Sequence, residues 1–474
     1  MPTVSQIVFA VTLCSVLATG TLIALALVRR KQREMHFREM SELRRLSFPV
    51  IASLAAGTLD YQPALQALGE IFPSGPNRAQ VVERVLFDGK HKASMSVPVL
   101  RRLAMDFGLV ELWERRLLCC PEPVSWRQAA FRPENALGRI HALHFLPRAR
   151  SAEHLGVISN APSWRLLVRA LEDPYPEVRS AAAFALGAIA EPQSFPALAD
   201  RLRNIVLTPS AGLSLRHIKA ALVCFPLRQA SELVESLKHA HPRVRFLATD
   251  VVREMVDRFR CAGGAEEVSV LKPEDFAPEL ADLFLTRLVF DENPDVRART
   301  AAVIARLDDP RATLRLVTLL DDVQWFVRLH TVRALAQPRF IVLTDHVTRR
   351  LTDVNWRVRE AAVRALLSLG APGTERLLDH FLTTQDRYSL EQIAEELQRA
   401  GLLPVRPGED GHDGGWEKSQ VVERLIELGK TSDLEAGLES GADDRLRERI
   451  LNKPLRKSPP MSVKDSHPGH PGPR

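Results

Sequence analysis

At 474 residues the chain is far longer than a single core requires, and an aromatic content of 6 % beside abundant Leu, Ala, Val and Arg disfavours a β fold. The net charge of +6 sits at the ends: residues 1–45 and 452–474 each carry +4, which leaves −2 for the body between them. A module that tracks phosphates needs its basic excess in the body, so the distribution argues against a nucleic-acid partner.

In chain order, residues 7–28 form the first element. This run holds no charged side chain, and at about 1.5 Å per residue it is long enough to cross a hydrocarbon core. Arg29, Arg30, Lys31 and Arg33 follow at once, and nothing basic precedes it. The expectation is one N-terminal transmembrane helix with its short N-terminus outside and the rest of the chain in the cytoplasm. A cleaved signal peptide would need a basic leader and a shorter apolar core, and this run has neither. Residues 29–49 read as a basic juxtamembrane helix whose apolar side is Met35, Met40, Leu43 and Leu46. It suits either an anionic inner leaflet or an ordinary stalk.

Residues 50–160 are helical in pattern without a fixed repeat register. A worn copy is expected at Leu137–Leu143. From 161 to 401 the register is clear. Asp291, Asp322 and Asp353 recur every 31 positions, each followed five residues later by Val296, Val327 or Val358 and then by Arg297, Arg328 or Arg359. Earlier copies carry Asp173, Val178 and Arg179, or Val244 and Arg245. Leu215–Arg216 reads as a degenerate copy between them, and Gly263–Gly264 with Glu266 and Glu267 as an insertion inside one repeat.

With the Val as origin, Leu171, Leu237, Val289, Leu320 and Leu351 stand seven residues before it. Leu167, Leu233, Leu285, Leu316 and Val347 stand eleven before it. That four-residue step places both sets on one face of a first helix. Eight after the origin come Leu186, Val252, Ile304, Leu335 and Leu366, and Ala182, Ala183, Ala248, Ala301 and Ala362 fill the small positions of a second helix. The recurrent Asp suits a turn or an N-cap, and Pro176, Pro242 and Pro294 suit the first turn of the second helix. Ser389–Leu390 replaces Val-Arg in a closing, atypical copy. Residues 402–417 read as a linker, 418–452 as a C-terminal helical segment and 453–474 as a disordered tail.

This pattern resembles the HEAT-repeat superfamily, and its short period is most similar to the bacterial repeats of PBS-lyase type. The resemblance implies an all-α, HEAT-like α-solenoid, a superhelix of antiparallel helix pairs. It also implies a protein that works by binding along a curved surface.

Candidate chemistry is sparse. His141 and His144 share a helical face with Cys119–Cys120 upstream, but vicinal cysteines cannot supply zinc-ligand spacing, so packing or surface histidines are the better reading. His412, His467 and His470 fall in loop or tail segments, and Cys14, Cys224 and Cys261 form no paired framework. No phosphate loop, dinucleotide fingerprint, zinc-protease motif or nucleophile elbow is present, so no catalytic residue and no cofactor is expected. The recurrent arginines, Arg216 included, could bind acidic groups on a partner. Because Asp recurs in step with them, structural pairing is the favoured reading.

Trp325 and Trp356 replace the proline of other copies and lie 31 apart. With Arg328, Arg357 and Arg359 they make a candidate protein-binding hot spot, set against plain packing between repeats. The expected function is a membrane-anchored scaffold that recruits or regulates a protein partner at the cytoplasmic face of a bacterial inner membrane. Its expected surface is the side lined by the second helices, from about 178 to 370. A membrane-bound envelope enzyme is the narrower partner expectation. The alternatives are a PBS-lyase-like chromophore lyase or chaperone and a HEAT-like nucleic-acid module.

Overall fold

The computed structural model describes residues 4–72, 74–75, 78–87, 95–118, 145–208, 214–262, 271 and 275–399; of residues 4–14, 16, 33, 36, 260–262 and 398 it describes the helical backbone alone. Cys119, Cys120, His141, His144, His412, His467, His470, the expected copy at 137–143 and the segments 402–417, 418–452 and 453–474 lie outside the described residues. The described chain is all-helical. Its one β pairing is an isolated parallel bridge between Leu271 and Leu307. Two compact units divide the chain, Met1–Ala265 and Glu266–Arg474, and the boundary falls where the sequence reads as an insertion.

Unit 1 begins with α1 (Val4–Ala55), a single helix that takes in both the apolar run and the basic segment. Its last turns bury Met40, Ser47, Ile51 and Leu54 against α2 (Tyr61–Ile71) and α3 (Arg78–Leu86). The apolar side expected for 29–49 is therefore corrected. Met40 is buried and Leu43 is half-buried, while Met35 and Leu46 face outward with Phe37 and Phe48. Packing picks out the stripe that meets α2 and α3, which the composition of the helix does not reveal.

Next come α4 (Val97–Asp106), α5 (Leu109–Leu118) and α6 (Phe145–Val157). Three helix pairs follow: α7 (Trp164–Ala170) with α8 (Pro176–Ile189), α9 (Phe195–Leu207) with α10 (Leu215–Val223), and α11 (Val234–Leu237) with α12 (Pro242–Ala262). The second helices α6, α8, α10 and α12 stack side by side. Glycine makes this possible at two points 31 residues apart. A Cβ on Gly156 would lie 2.6 Å from the Cα of Ala185, and one on Gly187 would lie 2.8 Å from the Cα of Ala221. Within this unit Glu83 is buried. It accepts hydrogen bonds from Trp113 Nε1 at 2.9 Å and Arg116 Nη1 at 2.8 Å, which ties α3 to α5.

Unit 2 is built from four pairs: α13 (Pro278–Thr286) with α14 (Pro294–Ile304), α15 (Pro310–Leu320) with α16 (Trp325–Ala334), α17 (Thr344–Thr348) with α18 (Trp356–Ser368), and α19 (Ala371–Thr383) with α20 (Arg387–Arg399). Here α14, α16, α18 and α20 pack in succession.

The periodic positions are the core. The origin valines, the residues seven and eleven before them and those eight after them are all buried, as are Ala182, Ala183, Ala248, Ala301 and Ala362. Pro176, Pro242 and Pro294 open their second helices, where the missing N–H costs nothing. The first helices are less regular than their periodicity suggests. Segments Leu227–Leu233, Leu288–Phe290, Pro338–Leu343 and Arg349–Thr352 are 3₁₀ turns, so the four-residue step spans a change of helix type.

Candidate binding edge of unit 2

The turn between the two helices of each pair has a common hydrogen-bond plan. The recurrent Asp accepts the N–H of the residue two positions on: Tyr175 to Asp173, Asn293 to Asp291, Gln324 to Asp322 and Asn355 to Asp353, each at 2.9 Å. It is a turn-former, and the N-cap lies two residues later. Asn293 and Asn355 accept the N–H groups of Asp295 and Arg357 in that role.

The recurrent Arg reaches in two directions. Its Nη1 donates back to the turn carbonyls, as in Arg297 to Asp291 O, Arg328 to Asp322 O and Arg359 to Asp353 O at 2.7–2.8 Å. Arg179 and Arg245 do the same to the carbonyls of Asp173 and His239. Its Nε and Nη2 fork points forward to the Asp of the next repeat, 25 residues on. Arg297 meets Asp322 at 2.7 and 2.9 Å, and Arg328 meets Asp353 at 2.7 Å through both atoms. Arg148 meets Asp173 in the same way at 2.9 and 3.1 Å.

Arg148 was missed by sequence reasoning because Pro147 stands where other copies have Val. Its distance of 31 from Arg179, matched by Gly156 and Gly187, was the available signal. Arg216, read as one of the row, is corrected. It is exposed on α10, while Ile218 enters the core. The ion pairs there come from Lys219, to Asp250 and to Glu254.

Electrostatics follows this geometry. The hydrogen bond to Asp353 holds the Arg328 guanidinium above its ordinary range against the opposing effect of burial, and Asp322 does the same for Arg297. Burial by itself would raise the Asp353 carboxyl. Hydrogen bonds from Arg328 and the Asn355 N–H, with the charges of Arg328 and Arg350, outweigh it and place the group below the usual carboxylate range.

Of the five expected site residues, Arg328 is therefore spent inside the ladder. Arg357 is the residue that joins the two tryptophans: its guanidinium lies 5.7 Å from the Trp325 ring centroid and 5.4 Å from that of Trp356. Both indoles sit at the first position of their helices, Trp325 half-buried against Phe326 and Trp356 52 % exposed. Arg359 lies over Tyr388 at 5.8 Å.

Three further residues complete the edge. Val323 and Val354, one after each Asp, are 90 % and 96 % exposed, and Tyr388 is 68 % exposed. In the preceding copy the same places hold Glu292 and Pro294, so the apolar strip is confined to the last repeats. Adjacent exposed apolar groups rimmed by guanidinium are what a protein-binding surface requires. Among the described residues no group of His, Cys, Asp and Glu is placed to hold a metal.

Stacked helix pairs with a 31-residue register, Ala-lined second helices and an Asp–Arg turn ladder define a helical repeat protein of the HEAT class. A family model for HEAT repeats matches residues 139–206 and 281–341, so both stretches carry HEAT repeats. Comparison with curated proteins gives no match. Solved structures similar to it include an engineered protein, 17 % identical, over 87 % of this chain and 97 % of that one, with a TM-score of 0.30. Human deoxyhypusine hydroxylase in complex with glycerol is 15 % identical over 63 % of this chain and 96 % of that one, at a TM-score of 0.25. Kap121p bound to Nup53p is 13 % identical over 82 % of this chain and 47 % of that one, at 0.43. None of these likenesses is close enough to support a statement about activity.

Proposed function

We propose that the chain is a binding scaffold without chemistry of its own, which offers the Trp325–Trp356 edge of unit 2 to a protein partner and is anchored in a membrane by residues 7–28. The observation that carries the binding reading is the exposed row of Val323, Val354, Trp356 and Tyr388, with Arg357 seated over both indoles. Its test is crosslinking in cells on the full-length protein, followed by capture from detergent-solubilised membranes and mass spectrometry. The Trp325→Ala/Trp356→Ala variant is expected to lose one dominant partner by about tenfold or more, as hot-spot indoles contribute roughly 2 kcal/mol or above. A partner retained in full by that variant would move the surface elsewhere, and no partner above background would remove the scaffold reading.

The anchor reading rests on the uncharged run, the basic cluster behind it and the outward-facing Leu17, Leu22, Ile23, Leu25 and Leu27 of α1. Among the described residues no helix is long and apolar enough to cross a membrane, and the first part of the 7–28 run falls outside the described side chains. Apolar groups on a helix with no protein against them are stable in lipid and costly in water. The protein should stay with membranes through alkaline washing and be released when residues 7–28 are deleted. Release of the intact protein by the wash would count against an anchor. In spheroplasts the repeats should resist added protease until the membrane is opened, as expected for a cytoplasmic solenoid with its N-terminus outside. This placement favours partners that are themselves membrane-bound, envelope enzymes among them. The narrower likeness to PBS-lyase-type repeats is supported by the short 31-residue spacing.

A further inference from the structure

The Arg–Asp ladder of unit 2 is open at its last rung. Arg297 closes on Asp322, and Arg328 closes on Asp353. The residue 25 places after Arg359 is Thr384. It sits in the Asp slot in full register. Its Oγ1 accepts the N–H of Asp386 at 3.2 Å, as Asp353 accepts that of Asn355. Asp386 in turn accepts the N–H of Tyr388 at 3.0 Å, just as Asn355 accepts that of Arg357. Five residues after Thr384, Ser389 is buried where the other copies bury Val. The turn is thus built, with a hydroxyl in place of its carboxylate.

Arg359 is prepared like the other rungs. Its Nη1 donates to Asp353 O at 2.8 Å and Val354 O at 3.4 Å. Its Nε is buried and has no acceptor among the described residues, although the same atom of Arg297 and of Arg328 donates to a carboxylate at 2.7 Å. A buried guanidinium N–H without an acceptor is an uncompensated desolvation, which a second carboxylate would relieve with two parallel hydrogen bonds. The rim of the open place is the half-buried Thr384 and the exposed Val354, Trp356 and Tyr388.

We propose that the Arg359 end of the ladder is a carboxylate-binding site, completed by an Asp or Glu side chain on a bound protein segment with apolar residues beside it. The inference rests on the scaffold reading of this edge and names the chemistry of its partner. The acid replaces the missing rung, and its apolar neighbours cover Trp356, Val354 and Tyr388. Arg357, already over both indoles, adds a second positive charge to the same edge.

The test uses the full-length protein in detergent micelles at low salt and a peptide labelled at its N-terminus, fluorescein-Gly-Phe-Asp-Leu-Gly-amide, read by anisotropy against its Asn counterpart. The Asp peptide should bind about tenfold more tightly than the Asn peptide. Thr384→Asp should supply the rung from within the chain, raise the melting temperature and abolish the Asp preference. Arg359→Lys, which keeps the charge and loses the fork, should also abolish the preference without requiring any gain in stability. Equal binding of the two peptides, or binding of neither, would overturn the proposal. So would a Thr384→Asp protein that melts higher and still prefers the Asp peptide. A partner captured in cells together with equal peptide binding would leave the scaffold and remove this site. Asp-selective binding without a captured partner would do the reverse.

Discussion

Asp353→Ala is expected to destabilise unit 2 by about 3–5 kcal/mol, the cost of removing one partner from a buried, hydrogen-bonded ion pair. The carboxylate of Asp353 serves two structures at once. It closes the turn onto the Asn355 N–H and accepts both donors of the Arg328 fork from the preceding repeat. Its loss leaves the Arg328 guanidinium with its two hydrogen bonds back to its own turn, to Asp322 O and Val323 O, and without its forward carboxylate. Stability in stacked repeats is a sum of repeat and interface contributions, so the effect should be local. Amide hydrogen exchange should speed most in α16 and α18 and least in α14. A uniform loss across unit 2, or a change below about 1 kcal/mol, would show that the ladder is decorative.

The same pair sets a pH dependence with a defined sign. Asp353 titrates below the ordinary carboxylate range when folded. Its contribution is therefore complete above the unfolded value, about 3.9, and is lost as pH falls through the lower folded value. Urea midpoints of the wild type should drop through this acid window. Asp353→Asn should start lower and show a shallower drop. A variant with the full wild-type acid slope would assign that slope to other carboxylates.

Gly156→Ala is expected to destabilise unit 1 by about 1–3 kcal/mol, although alanine in a helix interior otherwise gains about 1 kcal/mol over glycine. The added methyl would meet the Cα of Ala185 at 2.6 Å and its Cβ at 2.9 Å, and backbone cannot swing aside as a long side chain can. α6 and α8 must then separate, and the buried alanines of α8 lose contact along the seam. Gly69→Ala is the matched control. At that position on α2 the new methyl finds only the end of the Arg78 side chain, at 3.4 Å, so propensity should prevail and stability should hold or rise. Thermal melts should fall for Gly156→Ala and hold or rise for Gly69→Ala. A stabilised Gly156→Ala would mean that the helix seam is softer than the structure indicates.

The core was legible because it is periodic. Every residue placed seven or eleven before the origin, or eight after it, is buried, and so is each origin valine. A side chain's face on a helix follows from spacing along one chain segment, so no tertiary information is needed. The prolines at the start of α8, α12 and α14 and the small residues beneath them were readable for the same local reason. Ser389 is buried in the place where other copies bury Val. The copy containing Arg148 escaped notice because Pro147 hides the motif, and Arg216 was miscounted because a hydrophobic-basic pair is common on any amphipathic helix.

The sequence by itself determined the repeat, its register in the copies that carry Val178, Val244, Val296, Val327 and Val358, its two helix faces and the pairing of one Asp with one Arg. These follow from residue type and spacing, which act over a few bonds. Only the tertiary structure decided that Arg297 and Arg328 each grip the next repeat's Asp as well as their own turn, that Arg328 is consumed while Arg357 lies over both indoles, and that Val323, Val354 and Tyr388 join the edge. Those outcomes depend on how closely neighbouring helices stack and on which side chains meet across successive turns, and both are properties of contacts between segments far apart in the chain.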